Sequence, residues 1–192
     1  MLAGGRSSRF GSDKLKVEID GVGLLRRAID AVALVADDVV VVLAPAGERD
    51  LPPGVRSVRD TEAFEGPLAA TARGLGVITT PWAMVVAGDM PNLHPAVLRE
   101  IVRVAHAAPV DAVALADGER FRPIPSALRI APARVNAKAL LAQGERRLRA
   151  LLDSLRMAII DEPTWTALDP ERGTLRDIDV VGDLDAPGPS RS

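Results

Sequence analysis

The sequence predicts a layered α/β fold on a mostly parallel sheet. Apolar runs rich in β-branched residues recur at 38–43, 82–87 and 111–115, and they are continuous rather than alternating. Continuous runs suit strands covered on both faces, as in a parallel sheet. Segments with helical spacing lie between them, so the order strand, helix, strand, helix implies right-handed βαβ units.

Each element has its own justification. Residues 24–34 place Leu25, Ile29 and Val32 on one face, and residues 67–75 open with Pro67, a residue suited to a helix start. Residues 95–107 carry Val97, Leu98, Ile101, Val102 and Val104. Residues 55–59 form an extended segment that ends at Asp60. In the second half, 122–130 reads as a strand running into Pro132. Residues 133–142 and 147–155 read as helices split by Gln143-Gly144-Glu145, and 157–160 reads as a late strand. Residues 163–173 are expected to form a loop, and 185–192, with two prolines and a glycine, a disordered tail. No internal repeat, low-complexity block or interdomain linker interrupts the chain, so one domain over 1–184 is expected.

Composition narrows the function. At 192 residues and 47% apolar content the chain can fill one sizeable core, built of Ala, Val, Leu and Ile because only 3% is aromatic. A net charge of −2 argues against general binding to nucleic acid or a membrane surface. The absence of Cys excludes disulfides and thiolate metal sites. His94 and His106 are isolated, and His94, before Pro95, reads as a cap or surface residue rather than a catalyst. No apolar run reaches the ~18 residues of a membrane span, and the start lacks signal-peptide character. A soluble cytoplasmic protein is expected.

The stretch from Leu2 to Lys14 concentrates chemistry. It holds Gly4, Gly5 and Gly11, three serines, and the cations Arg6, Arg9 and Lys14 behind a very short apolar start. Glycines let a backbone approach a ligand. Successive N–H groups can form an anion nest, and the cations would neutralise phosphates. The spacing is neither a Walker A motif nor a dinucleotide fingerprint. The residues alone leave open whether the loop wraps a nucleotide or simply turns the chain.

In open α/β sheets ligands bind beyond the carboxyl ends of the strands, so polar residues following apolar runs matter. Asp89, in Gly88-Asp89-Met90-Pro91, is the leading candidate for a Mg²⁺ ligand, since Mg²⁺ takes one or two carboxylates plus substrate phosphates. The same tetrapeptide also suits a plain Asx-turn. Asp60 is either a site residue or a turn or cap residue. Asp177 and Asp179 flank Ile178, so both carboxylates face one side of an extended segment. They could serve a metal or a polar substrate, or merely decorate a solvated edge. Arg120 and Arg122, with Arg146 and Arg147, could grip an anionic second substrate or simply be solvated.

Together these residues resemble the molybdenum cofactor guanylyltransferases, within the wider sugar-1-phosphate type of nucleotidyltransferase. Leu2 to Lys14 matches Leu-Ala-Gly-Gly-x-Ser-x-Arg-Met-Gly-x-Asp-Lys, with Phe10 in place of Met. Gly66-Pro67-Leu68, Asp89-Met90-Pro91, Gly144-Glu145-Arg146-Arg147 and Asp177-Ile178-Asp179 follow in the family's order over nearly the whole chain. The resemblance implies a Rossmann-like three-layer α/β/α single domain. It also implies a Mg²⁺-dependent transfer of GMP from GTP to the phosphate of molybdopterin or Mo-molybdopterin, with loss of pyrophosphate. On that carry-over Leu2, Ala3, Gly4 and Gly5 hold base and ribose. Arg9 and Lys14 meet the triphosphate, and Asp60 contacts the nucleotide. Asp89 binds the metal, completed by Asp179 and Asp177. Gly4 favours GTP over CTP, because related cytidylyltransferases carry Ala there. A molybdoenzyme or its chaperone is an implied partner.

The alternatives are a CTP-using or sugar-phosphate nucleotidyltransferase of the same fold, or a catalytically weak cofactor-binding homologue. The chain departs from the family in three places. The first strand is very short, which suggests a start assigned too late or a truncation. Leu43-Ala44-Pro45 stands where members often have Asn, and Phe121-Arg122-Pro123 where they often have His-Pro.

Overall fold

The structure, a computed structural model, describes residues 1–3, 17–45, 49–60 and 65–176. In chain order its elements are β1 (Leu2–Ala3), β2 (Glu18–Ile19), β3 (Val22–Gly23), α1 (Leu24–Ala33), β4 (Val40–Leu43), β5 (Arg56–Arg59), α2 (Pro67–Val77) and β6 (Trp82–Val85). There follow α3 (Pro95–Ala107), β7 (Ala112–Asp117), β8 (Arg120–Arg129), α4 (Ile130–Ala142), α5 (Leu148–Asp153), β9 (Met157–Ile160) and α6 (Glu162–Leu168), then a 3₁₀ turn at Gly173–Leu175.

β1, β4 and β5 form a parallel ladder in which Ala3 faces Leu43 and Leu43 faces Arg59. β1 joins the end of β6 through a parallel bridge from Leu2 to Ala87, closed by Leu2 N–H to Val86 O and Gly88 N–H to Leu2 O, both 2.8 Å. β8 lies antiparallel between β6 and β7, and β9 adds in parallel to β7. The resulting order is β5-β4-β1-β6-β8-β7-β9. Most neighbours are parallel, as expected, and β8 supplies both antiparallel pairings.

Burial explains the continuous apolar runs. Ala112 and Ala114 of β7 pack with Leu68, Leu75, Leu148, Leu151 and Leu152, from α2 and α5, on one face. Their neighbours Val113 and Leu115 pack with Val97, Ile101 and Trp165, from α3 and α6, on the other. α1 covers β4 and β1 on that second face through Leu25, Ile29 and Val32. Helices thus cover both faces of the central strands, which gives the three layers. Leu68, Leu98, Leu128, Leu148, Leu151 and Leu152 are wholly buried, and each such side chain stabilises the fold by about 2 kcal/mol. Gly74 lets α2 sit close on the sheet, since a Cβ there would lie 3.1 Å from Val42 Cγ2.

Three expectations need correction. Residues 163–168 are not loop but belong to α6, which starts after Asp161, whose carboxylate accepts the Thr164 N–H at 2.8 Å as an N-cap; only 169–172 keep the expected irregular form. β8 begins at Arg120 rather than 122, and α4 takes up Pro132 in its first turn, where the missing N–H costs nothing. The β2–β3 hairpin was not anticipated, although its turn, Asp20 (φ 53°) and Gly21 (φ 75°), is the Asp-Gly pair such hairpins favour. The anticipated tail at 185–192 lies outside the described residues. Among the described residues no helix is long and apolar enough to cross a membrane.

Candidate functional site

The parallel register brings several strand ends to one edge. Ala3 ends β1 beside Leu43 of β4. Asp60 follows β5, and its N–H donates to Leu43 O at 2.9 Å. Gly88 and Asp89 follow β6 and are tied to Leu2 through the Gly88 N–H. The chain runs outward from β1 to β4 to β5, then returns through α2 to β6 on the opposite side of β1. β1 is therefore the topological switch point, where open α/β sheets bind ligands. The segment after Ala3, carrying Gly4, Gly5, Arg9 and Lys14, departs from this point; those four residues lie outside the described residues, as do Asp177 and Asp179.

Sheet geometry separates the two predicted carboxylates. Asp60 and Asp89 follow strands three positions apart, which places them roughly 14 Å apart at ~4.8 Å per strand. At that separation the two carboxylates cannot both bind one ion. Leu2 is tied into the sheet through its N–H on Val86 O and its carbonyl under the Gly88 N–H, and Ala3 follows it at the open edge.

Asp60 is half-buried, and that burial, with the Glu65 carboxylate nearby, pushes its carboxyl above the usual range; Arg73 opposes the shift. Asp89 is also half-buried, between the buried Gly88 and Met90. Among the described residues no three His, Cys, Asp or Glu converge on a metal position. A single carboxylate beside a nucleotide is nonetheless a donor set that Mg²⁺ accepts, the rest coming from phosphate and water.

The Gly-Pro-Leu and Gly-Glu-Arg-Arg segments, distant in sequence, meet at the start of α2. Leu68 N–H donates to Arg146 O at 3.1 Å. Glu145 accepts the N–H groups of Arg146 and Arg147 (2.8 and 2.9 Å) and the Arg147 guanidinium (2.7 and 3.0 Å). These bonds, the Arg147 guanidinium first, hold its carboxyl down at about 2. Arg146 turns its guanidinium back onto Glu145 O and Leu141 O.

The β7–β8 hairpin overhangs the same edge, because β8 runs back past the end of β6. There Arg122 pairs with Asp117 at 2.8 Å, while Arg149 stacks on Phe121 at 4.0 Å and binds its carbonyl. A groove of about 660 Å³ opens at Glu65 and Arg146 and runs between α2 and α4 past Arg73 and Lys138. It follows the helical face down to Val77, away from the strand ends. His94 occupies the N-cap of α3 without a side-chain cap bond, in keeping with its expected role.

A three-layer sheet with a switch point, a glycine-rich segment after its first strand and an aspartate after a neighbouring strand end define a nucleotide-handling α/β protein. Comparison with known proteins narrows the class to the nucleotidyltransferases. The profile of the MobA-like NTP transferase domain matches residues 1–159, and the chain belongs to that family. A probable molybdenum cofactor guanylyltransferase of Chloroflexus aggregans is 31% identical over 96% of this chain and 89% of the relative. One from Natronomonas pharaonis is 30% identical over 94% and 90%. Among solved structures, molybdopterin-guanine dinucleotide biosynthesis protein A from Archaeoglobus fulgidus superposes with a TM-score of 0.78 at 20% identity, covering 96% of this chain and 93% of that one. The 2-C-methyl-D-erythritol 4-phosphate cytidylyltransferase of Thermus thermophilus gives 0.71 at 16%, over 96% and 93%. Both structures share the fold, and it is sequence that separates this chain towards the guanylyltransferases.

Proposed function

We propose that this chain transfers GMP from GTP to the terminal phosphate of molybdopterin or Mo-molybdopterin. The observation that carries the reading is the alignment of Ala3, Asp60 and Asp89 along one sheet edge about the switch point. Relatives named as guanylyltransferases over nearly the full length support it. An acceptor phosphate oxygen attacks the α-phosphorus of GTP. The bond from that phosphorus to the bridging oxygen breaks, and pyrophosphate leaves with the electron pair. A phosphate nucleophile is already ionised at neutral pH and needs no strong base.

Such transfer depends on positioning and on neutralising oxygen charge. In this reading Leu2, Ala3, Gly4 and Gly5 hold base and ribose. Arg9 and Lys14 neutralise the triphosphate, and Asp60 contacts the nucleotide at the β5 side. Asp89, joined by Asp179, holds Mg²⁺, which supplies further charge neutralisation when bound. Residues 1–184 make up the catalytic domain, the setting is the cytoplasm, and the product passes to a molybdoenzyme or its chaperone.

The test is pyrophosphate release from GTP, CTP, ATP and UTP in the presence of molybdopterin and Mg²⁺. GTP should be used at least tenfold better than CTP. A preference for CTP or UTP, or no release with any nucleotide, overturns the reading.

A further inference from the structure

Asp169 is the only buried charged residue among those described, 4% exposed, and no step of the proposed reaction uses it. It ends α6, and both its oxygens are committed. Oδ1 accepts the Gly173 N–H at 3.2 Å and Oδ2 the Thr174 N–H at 2.7 Å. These bonds build the 3₁₀ turn at Gly173–Leu175, which the left-handed Arg172 (φ 57°) allows to turn back. Thr174 is wholly buried, and its hydroxyl oxygen accepts the backbone N–H of His94 at 3.0 Å, across 80 positions of sequence. Gly173 brings the turn against Asn92 so closely that a Cβ would lie 3.1 Å from Asn92 Cβ and 3.2 Å from Asn92 O.

The contacted segment is the one that carries Asp89. It leaves β6 at Gly88, runs through Met90 and Leu93, each 4% exposed, and enters α3 at Pro95. One end is fixed by Gly88 N–H on Leu2 O; the other is fixed by Thr174 on the His94 N–H.

We propose that Asp169 and Thr174 are positioning residues for Asp89: the buried chain Asp169–Thr174–His94 N–H sets where the metal-binding carboxylate stands. The inference rests on the metal role given to Asp89 above. Groups that hold a ligand in place tune metal affinity without touching the metal, and here the hold is exerted on the backbone five residues after the ligand. The His94 imidazole takes no part, because the donor is its main-chain N–H.

The test uses Mn²⁺ in place of Mg²⁺, with binding followed by electron paramagnetic resonance at saturating GTP and thermal melting measured without ligand. Thr174→Val removes the acceptor at nearly constant shape, and Thr174→Ser restores it. His94→Pro removes the donor at a φ of −85°, close to the range proline holds, while His94→Ala keeps it. Thr174→Val and His94→Pro should each weaken Mn²⁺ binding by clearly more than about twofold, and Thr174→Ser and His94→Ala should stay within about twofold of the parent. Asp89→Ala calibrates the assay. If Asp89→Ala weakens Mn²⁺ binding but Thr174→Val and His94→Pro only lower the melting temperature, the chain is merely structural and the inference fails. If Asp89→Ala leaves Mn²⁺ binding unchanged, the metal role of Asp89 fails and takes the inference with it.

Discussion

A Cβ placed on Gly66 would lie 3.0 Å from the carbonyl oxygen of Arg146, the same oxygen that accepts the Leu68 N–H at 3.1 Å. Gly66 is also held at φ 92°, where L side chains are strained. The glycine of Gly-Pro-Leu is therefore fixed by the backbone of Gly-Glu-Arg-Arg, two segments that the sequence keeps about eighty residues apart.

Gly66→Ala combines left-handed strain with a clash against backbone that cannot swing away. It should cost about 2–3 kcal/mol, lowering Tm by roughly 5–10 °C for a chain of this size. Gly76→Ala is the control. It lies exposed in α2, the helix that Gly66 precedes, with nothing within 4 Å of its added Cβ, and should stabilise by about 0.5–1 kcal/mol. Urea denaturation of both variants checks the pair.

Glu145 holds this loop by ion pair and backbone bonds, so its carboxyl titrates far below an ordinary glutamate, at about 2 rather than 4.5. The sign follows: a depressed acid contributes stability present above its unfolded pKa and lost as pH falls towards its folded one. The loop's anchoring should therefore persist at neutral pH and disappear between about 4.5 and 2. Carbon-13 NMR should find the Glu145 midpoint near the lower value, and Arg147→Ala should move it upward.

Trp165 tests a part of the fold the sequence did not disclose. It is wholly buried, its indole Nε1–H donates to Ala116 O at 2.9 Å, and the Arg172 guanidinium lies 5.0 Å from its ring centre. Trp165→Phe leaves that carbonyl without its partner and a gap where the second ring stood, so a loss of about 2–3 kcal/mol is expected. Chemical denaturation followed by far-UV circular dichroism measures it. A loss below ~0.5 kcal/mol would show that α6 is not part of the cooperative core.

The strand and helix pattern of the first half was legible because its strands are covered on both faces, so Val39 to Leu43 and Ala112 to Leu115 read as unbroken apolar runs. α3 matched its expected bounds because Pro95 and a strong apolar stripe mark it. α6 was hidden because it is short and rich in polar and proline residues, with Trp165 its only buried member. Its signal lay in the cap, Asp161 three residues before Thr164. At the site, Asp89 could be chosen from its place after an apolar run and Asp60 from its place at the end of an extended segment, but their separation by three strands could not, since strand order is a long-range property. Asp169 gave no local sign, because its partners sit in the turn that follows and its effect is delivered through His94, in a different element.

Asp60 offers the sharpest separation of stability from function. Burial and the neighbouring Glu65 raise its carboxyl, so ionisation is disfavoured in the folded chain. For a raised acid, the linked stability is present below the unfolded pKa of 3.8 and is lost as pH rises through the folded value. At neutral pH the ionised Asp60 is thus a small burden on the ligand-free protein. Asp60→Asn removes that burden and keeps the shape, so the ligand-free variant should melt slightly above the parent, an effect kept small by the side chain's partial exposure. With GTP and Mg²⁺ the order should reverse. A ligand that binds the folded state stabilises it by RT ln(1 + [L]/Kd), so a tenfold loss of affinity removes about 1.4 kcal/mol at saturation. The parent should then melt above the variant. Paired thermal melts with and without GTP and Mg²⁺ measure the crossing. A variant that gains the same ligand-induced shift as the parent would remove Asp60 from the nucleotide site.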